Sequence, residues 1–145
     1  MEPSQESTAP GAASLTRQQN QQDIMSETQF RFQEFEIWKR AALISGELFA
    51  LSDKLEERKL FRFAEQLRGA TLSITNNIAE GSGSTSDTDF ANFLNMSRRS
   101  VFEVANILMI LSKDNYLPSE TIQKLILELE EQSRMLLAFR RTLKS

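Results

Sequence analysis

The sequence predicts an all-α protein that folds as an antiparallel up-down-up-down four-helix bundle. Three observations support this fold class. Apolar residues recur at spacings of three and four along four stretches, the connections between these stretches are short, and no strand-like alternation occurs. The chain has 145 residues, of which 40% are hydrophobic and 26% are charged. These values are typical of one soluble domain with a single hydrophobic core.

The first two predicted helices cover residues 33–53 and 57–80. Each has a stripe of apolar and small residues along one side, as expected of a helix that packs against a core. The predicted stripe of the first helix contains Phe35, Trp38, Ala42, Ser45, Phe49 and Ser52, and it is widened by Ala41, Leu48 and Leu51. The predicted stripe of the second contains Leu60, Phe63, Leu67, Ala70, Ile74 and Asn77, and Ala64, Thr71 and Ile78 flank it.

The third helix is predicted to begin after Ser86, which forms a capping-box pattern with Asp89. It is expected to end at Asn115-Tyr116-Leu117, and Pro118 suits the first turn of the fourth helix. The stripe of the third helix contains Phe90, Leu94, Ser97, Val101, Val104, Leu108 and Leu111. The stripe of the fourth contains Ile122, Leu125, Leu129, Gln132, Leu136, Phe139 and Leu143.

The stretch NNIAEGSGS, residues 76–84, contains the residues most open to a functional interpretation. Gly81 is predicted to be a left-handed helix cap and Gly83 to give the following turn its freedom. Asn76 and Asn77 are poor helix formers, so we expect tertiary partners for them. Glu80 lies on the same face as Asn77, and we predict a paired polar cluster over 76–80. A ligand contact is the alternative role.

The composition excludes several kinds of catalytic site. The chain has no cysteine and no histidine, so thiolate or imidazole metal sites, cysteine nucleophiles and a Ser-His-Asp triad cannot form. Glu80 with Asn77 is the one constellation that could be tested for catalysis, and it lacks a second titratable group. We therefore expect no catalytic residues, no cofactor, no metal and no enzymatic activity.

Residues 1–29 differ in composition from the remainder of the chain. They are rich in Ser, Thr, Gln, Glu and Ala and carry the whole net charge of −3. We expect a disordered tail over 1–29, either passive or able to bind a partner, and a bundle domain over 30–145. The N-terminus lacks the pattern of a secretory signal, and no apolar run is long enough to span a membrane. We therefore expect a cytoplasmic protein without a membrane partner.

The third and fourth predicted helices are apolar on more than one side. The additional residues are Phe93, Met96, Phe102, Ile107, Met109 and Ile110 in the third helix, with Ile126, Leu127 and Leu137 in the fourth. Because a bundle helix needs only one apolar stripe, this excess indicates a second buried surface, most simply a subunit interface. A thick core with some exposed apolar residues is the alternative.

Several motifs resemble those of the bacterial four-helix-bundle family, also called the ribosomal-RNA intervening-sequence protein family. These are SITNNIAEGSGS, Phe90-Ala-Asn-Phe-Leu, Ser100-Val-Phe-Glu103 and Pro118, and the resemblance covers residues 30–143. Four residues depart from the family pattern. These are Thr75 in place of proline, Asn76 in place of serine, Ser84 in place of the loop arginine, and Arg99 in place of glycine.

The resemblance implies a ring-like homopentamer. It also implies a connection with nucleic acid, since some members are encoded within intervening sequences of ribosomal RNA genes. Distant relatives are accessory subunits that bind a retroelement reverse transcriptase and RNA. The missing loop arginine weakens a nucleic-acid role for that loop.

Two functions remain open from the sequence. The first is an oligomeric scaffold that binds RNA, DNA or a nucleic-acid enzyme such as a reverse transcriptase. The second is a protein-only interaction module whose acidic tails recruit a partner. Because the bundle part is neutral overall, nucleic-acid binding would require local clusters of basic residues. The candidates are Arg58, Arg62, Arg68, Arg98, Arg99, Arg140 and Arg141.

Overall fold

Four α-helices make up the fold in the computed structural model, which describes residues 19–20 and 30–143. They are α1 (Glu36–Glu57), α2 (Phe61–Ser82), α3 (Asp87–Lys113) and α4 (Ser119–Thr142), with a short 3₁₀ turn at Arg31–Glu34 before α1. The described residues contain no strand, so the predicted all-α class is confirmed. The tail predicted over 1–29 lies outside the described residues, apart from Gln19 and Asn20.

The helices pack around one core in the order α1, α2, α3, α4, and α4 closes against α1. Short connections over 58–60, 83–86 and 114–118 reverse the chain direction each time. Two of these connections, 58–60 and 114–118, therefore lie at the same end of the bundle, which we call the distal end. The connection 83–86, the 3₁₀ turn and the end of α4 lie at the opposite, proximal end.

The core residues of α3 and α4 follow the predicted stripes closely. All seven predicted stripe residues of α3 are buried, as are the first five of α4. The centre of the stripe predicted for α1 is rotated: the widening residues Ala41, Leu48 and Leu51 are buried, together with Ser45 and Ser52, and the buried row also includes Ile37, Ile44 and Leu55. Phe35, Trp38, Ala42 and Phe49 are half-buried beside it. In α2, Phe63 remains 37% exposed and Asn77 is half-buried, whereas Ala64, Thr71 and Ile78 are buried.

Gly81 does not cap α2, so the predicted left-handed cap is wrong. The helix continues through Ser82, and no glycine among the described residues has a positive φ. Gly81 is buried within the last turn, where a Cβ atom would lie 2.6 Å from Phe93 Cβ and 2.8 Å from Phe90 Cδ2. The glycine is therefore required by close packing between α2 and α3, and not by the turn. Ser86 does cap α3, since its Oγ accepts from Asp89 N at 3.1 Å.

In both distal connections the second residue has the left-handed conformation. Lys59 has φ 63° and Asn115 has φ 60°. At the first, Leu60 N donates to Leu55 O at 2.9 Å and Lys59 N donates to Glu56 O at 2.8 Å. This pair of bonds is a Schellman motif, and 111–116 repeats it. Asparagine tolerates this conformation well, whereas lysine carries a steric cost there.

Lys59→Gly is expected to stabilise the bundle by up to about 1 kcal/mol, because glycine removes the steric cost of a positive φ. Part of that gain is offset by the greater freedom of glycine in the unfolded chain. Chemical denaturation monitored by circular dichroism measures the change. Asn115→Gly, at the matching turn, is expected to change stability less. A loss of stability in Lys59→Gly would show that the lysine side chain stabilises the turn.

Candidate interaction surfaces

The amide of Asn77 takes part in a chain of hydrogen bonds that joins α2 to α3. Asn77 Nδ2 donates to Ser73 O at 2.8 Å and to Ser73 Oγ at 3.0 Å. Ser73 Oγ lies 2.8 Å from Ser100 Oγ, and Ser100 Oγ donates to Met96 O at 3.2 Å. Since each hydroxyl has one proton, the Ser73 hydroxyl donates to Ser100. These hydrogen bonds fix the register of the two helices, and the sequence motifs that contain both serines did not identify them as partners of Asn77.

The predicted polar cluster of Asn77 with Glu80 does not form, because the Asn77 amide donates to Ser73. No hydrogen bond within the described part of the chain joins the two side chains, and both Glu80 and Asn76 are exposed. The helix also continues past residue 80, to Ser82. Asn76 lies in the groove between α1 and α2, whereas Asn77 faces α3. The two asparagines therefore serve different surfaces.

The Asn77 chain forms the floor of a polar groove of about 400 Å³ between α2 and α3. Arg99 and Glu103 lie at its edge, and both are exposed. Neither side chain has a hydrogen bond or an ion pair to another described residue. Arg99, which replaces the small residue of the family pattern, is thus a cation that shares this groove with one acid, Glu103, without an ion pair between them.

The remaining basic candidates do not form one continuous patch. Arg58 and Arg62 lie at the distal end, and Arg140 and Arg141 lie at the proximal end of α4. Arg140 is half-buried and donates from Nε to Ala91 O at 3.2 Å. Arg141 is exposed and has no partner among residues 30–143.

Two other candidates make specific contacts within the bundle. Arg68 donates to Asp53 at 2.7 Å and also binds Glu56. These hydrogen bonds, the one to Asp53 first, raise the pKa of Arg68 above its ordinary value. Arg98 is half-buried, donates from Nε to Ser133 O at 3.3 Å, and stacks over the Phe102 ring at 4.9 Å. Arg68 therefore joins α2 to α1, and Arg98 joins α3 to α4, and these contacts within the bundle explain both arginines.

Two apolar grooves lie on opposite sides of the bundle, because one separates α1 from α2 and the other separates α3 from α4. The α1–α2 groove has a volume of about 350 Å³ and the α3–α4 groove about 440 Å³. The first is lined by Trp38, Ala42, Phe49, Leu72 and neighbours; the second by Val101, Phe102, Ala105, Met109, Ile126 and neighbours. None of the additional apolar residues noted in α3 and α4 is fully buried, and Phe102 is 56% exposed.

The described residues show neither a metal cluster nor a membrane span. No group of three or more His, Cys, Asp or Glu side chains within them is placed to hold a metal ion. Likewise, none of their helices has the length and apolarity needed to cross a membrane.

Comparison with known proteins identifies the family of this chain and a solved structure with a similar fold. Residues 33–138 match the family model described as 23S rRNA-intervening sequence protein. Among curated protein sequences, none matches the chain significantly. A crystal structure of a protein of unknown function from the S23 ribosomal protein family of Bacteroides thetaiotaomicron is similar, with a TM-score of 0.68 and 23% identity. The similarity covers 71% of this chain and 96% of that chain, and at this identity it shows the fold.

Proposed function

The chain belongs to the 23S rRNA-intervening sequence protein family, and we propose that it is a non-enzymatic oligomeric scaffold that binds RNA or an RNA-dependent enzyme such as a reverse transcriptase. The observation that carries this proposal is the pair of exposed apolar grooves on opposite sides of the bundle. Such grooves suit contact between copies of the chain, since large exposed apolar surfaces mark interaction sites.

The placement of the grooves favours a ring. A contact between two different surfaces, one from each subunit, is heterologous, and repetition of such a contact closes into a ring when the rotation permits. The family resemblance makes five the expected number of subunits. Every surface feature of one subunit would then occur five times around the ring.

Free cations support the nucleic-acid part of the proposal. Lys59, Arg62, Arg99 and Arg141 are exposed and have no ion-pair partner among residues 30–143. One such cation contacts a phosphate weakly, but repeated contacts on a ring add through multivalency. Free cations in the α2–α3 groove and at both ends would allow an extended RNA to touch several subunits.

The absence of enzymatic activity is part of the proposal and rests on the Glu80 environment. Asn77 donates to Ser73, so it does not orient the Glu80 carboxylate. Glu80 is exposed, and no hydrogen bond or ion pair joins it to a second titratable group among residues 30–143 that could divide acid and base roles with it. If the wild type turned over a substrate, and Glu80→Gln lost this activity while keeping its fold, the proposal that the protein is not an enzyme would be contradicted.

Arg99→Gln is expected to weaken RNA binding several-fold and to make the salt dependence shallower by about 0.7 for each phosphate that the protein no longer neutralises. The matched control is Arg134→Gln. Arg134 is also exposed, but Glu130 and Glu131 already compensate its charge at 2.6 and 3.0 Å, so its replacement is expected to leave affinity unchanged. Fluorescence anisotropy with a labelled RNA over a salt series measures both variants.

No RNA binding by the full-length protein at low salt would overturn the nucleic-acid part of the proposal. The protein-only interaction module, with its acidic tails recruiting a partner, would then be the better description. An equal decrease of affinity in both arginine variants would show that Arg99 acts through overall charge and not through a specific contact.

A further inference from the structure

We propose that the distal end of the bundle is a stacking platform for the bases of single-stranded RNA. This inference rests on the proposed function, because it names the form of nucleic acid and the residues that recognise it. The segment RKLFRF over 58–63, which covers the first distal connection and the start of α2, combines basic and aromatic residues. Proteins that bind single strands combine these two residue types, since cations attract the backbone and aromatic rings stack on bases.

The aromatic side chains of this segment are exposed on the folded bundle. Phe61 is 56% exposed and Phe63 is 37% exposed, although both belong to the first turn of α2. Phe63 packs against Tyr116 of the second distal connection, with ring centroids 6.0 Å apart. The platform therefore consists of the Phe63–Tyr116 pair, and Phe61 supplies a further exposed ring in the same helical turn, on another side of α2.

Tyr116 is held in place by Arg58. The Arg58 guanidinium donates to Tyr116 O and lies 5.6 Å from the centroid of the Tyr116 ring. This contact joins the two distal connections, which come from separate parts of the sequence. It positions the Phe63–Tyr116 pair as a preformed surface, so that stacking would not require the loops to become ordered first.

The charges around these rings favour a polyanion. Lys59 and Arg62 flank Phe61, are exposed, and have no partner among residues 30–143. The nearby acids Asp53 and Glu56 share a single cation, Arg68, which compensates only part of their charge. Glu57 is the adjacent acid without such a partner among the described residues. Two free cations are therefore within two residues of Phe61 in the chain, where they can contact the phosphates of a strand whose bases stack.

The conformation of Lys59 is a further observation. A lysine occupies the left-handed position of the Schellman motif, where glycine carries no steric cost. Strained conformations of this kind persist at functional sites when the side chain is needed. A phosphate contact by the Lys59 ammonium group accounts for a lysine in this place.

Phe61→Leu and Phe63→Leu test the platform, because leucine keeps the apolar character and removes the ring. With a short fluorescent oligouridylate, each variant is expected to bind about tenfold more weakly, while the slope against salt stays unchanged. The matched control is Phe30→Leu, since Phe30 is 65% exposed and lines neither apolar groove, and this variant is expected to keep the wild-type affinity. We expect the wild type to bind a duplex RNA of the same length more weakly than the single strand.

The outcomes separate this inference from the proposed function. If the wild type binds neither RNA, both are overturned. If it binds oligouridylate and neither Phe61→Leu nor Phe63→Leu weakens binding, the proposed function stands and the platform is overturned. Equal affinity for the duplex and the single strand also overturns the platform, since the protein would then recognise RNA by shape. A change of oligomeric mass in either variant overturns it as well, since the ring would then be part of a subunit contact.

Discussion

Gly81→Ala is expected to destabilise the bundle by about 2–3 kcal/mol, because an added methyl group would overlap atoms that cannot easily move. The new Cβ would lie 2.6 Å from Phe93 Cβ and 2.8 Å from Phe90 Cδ2. Phe93 Cβ is next to the backbone of α3, so the clash cannot be relieved by a rotation of the ring. The helices α2 and α3 would have to separate at the proximal end. Denaturant unfolding of the variant measures the decrease in stability.

Gly69→Ala is the control for this prediction, since Gly69 lies in the same helix and its Cβ would meet no atom within 4 Å. This replacement is expected to stabilise the protein by roughly 0.5–1 kcal/mol, because alanine favours a helix interior over glycine. An equal response of the two sites would show that helix propensity, and not packing against Phe90 and Phe93, determines the role of Gly81.

The expected result gives the NIAEG stretch a packing role. Phe90 packs in turn against Phe35, with ring centroids 5.9 Å apart, and against Phe139 at 5.6 Å. The close approach at Gly81 therefore brings α2 against a cluster of aromatic rings that joins α3 to the start of α1 and the end of α4. A residue with a side chain at position 81 would disturb all of these contacts together.

Periodicity was sufficient to predict which residues of α3 and α4 face the core, and it was less accurate for α1. The reason is that α1 has two adjacent apolar stripes. Leu48 is fully buried, whereas Trp38 and Phe49 line the α1–α2 groove. A spacing of three and four fits both stripes equally, and only the packing of the neighbouring helices decides between them. The stripe predicted from Trp38 and Phe49 therefore pointed at the groove.

The roles of the candidate site residues are determined by contacts with other helices, and the spacing of residues within one helix does not predict such contacts. Gly81 was predicted as a turn residue because the pattern GSG is typical of a helix end, and the close approach of Phe93 comes from another helix. Similarly, Arg68 and Arg98 could be chosen by charge, but their partners Asp53 and Ser133 lie on α1 and α4. The combination of basic and aromatic residues over 58–63 was a signal available in the sequence.

Phe102→Glu and Leu72→Glu are each expected to reduce the oligomer to a monomer, since each places a charge within one of the two apolar grooves. Both residues are about half exposed, at 56% and 49%, so the isolated bundle should tolerate the changes. For the wild type we expect a mass near five times 16.6 kDa by light scattering. Leu43→Glu, at a residue that is 78% exposed and lines neither groove, is the control and should keep the wild-type mass.

Mixing the two groove variants distinguishes a ring from a symmetric dimer. In a heterologous contact, the intact α1–α2 groove of Phe102→Glu can bind the intact α3–α4 groove of Leu72→Glu, so the mixture should form a dimer that cannot grow. In an isologous contact through one groove, the variant altered in the other groove would already dimerise alone, and mixing would add nothing. A wild-type monomer would instead show that the grooves bind something other than a second copy, and the scaffold proposal would lose its support.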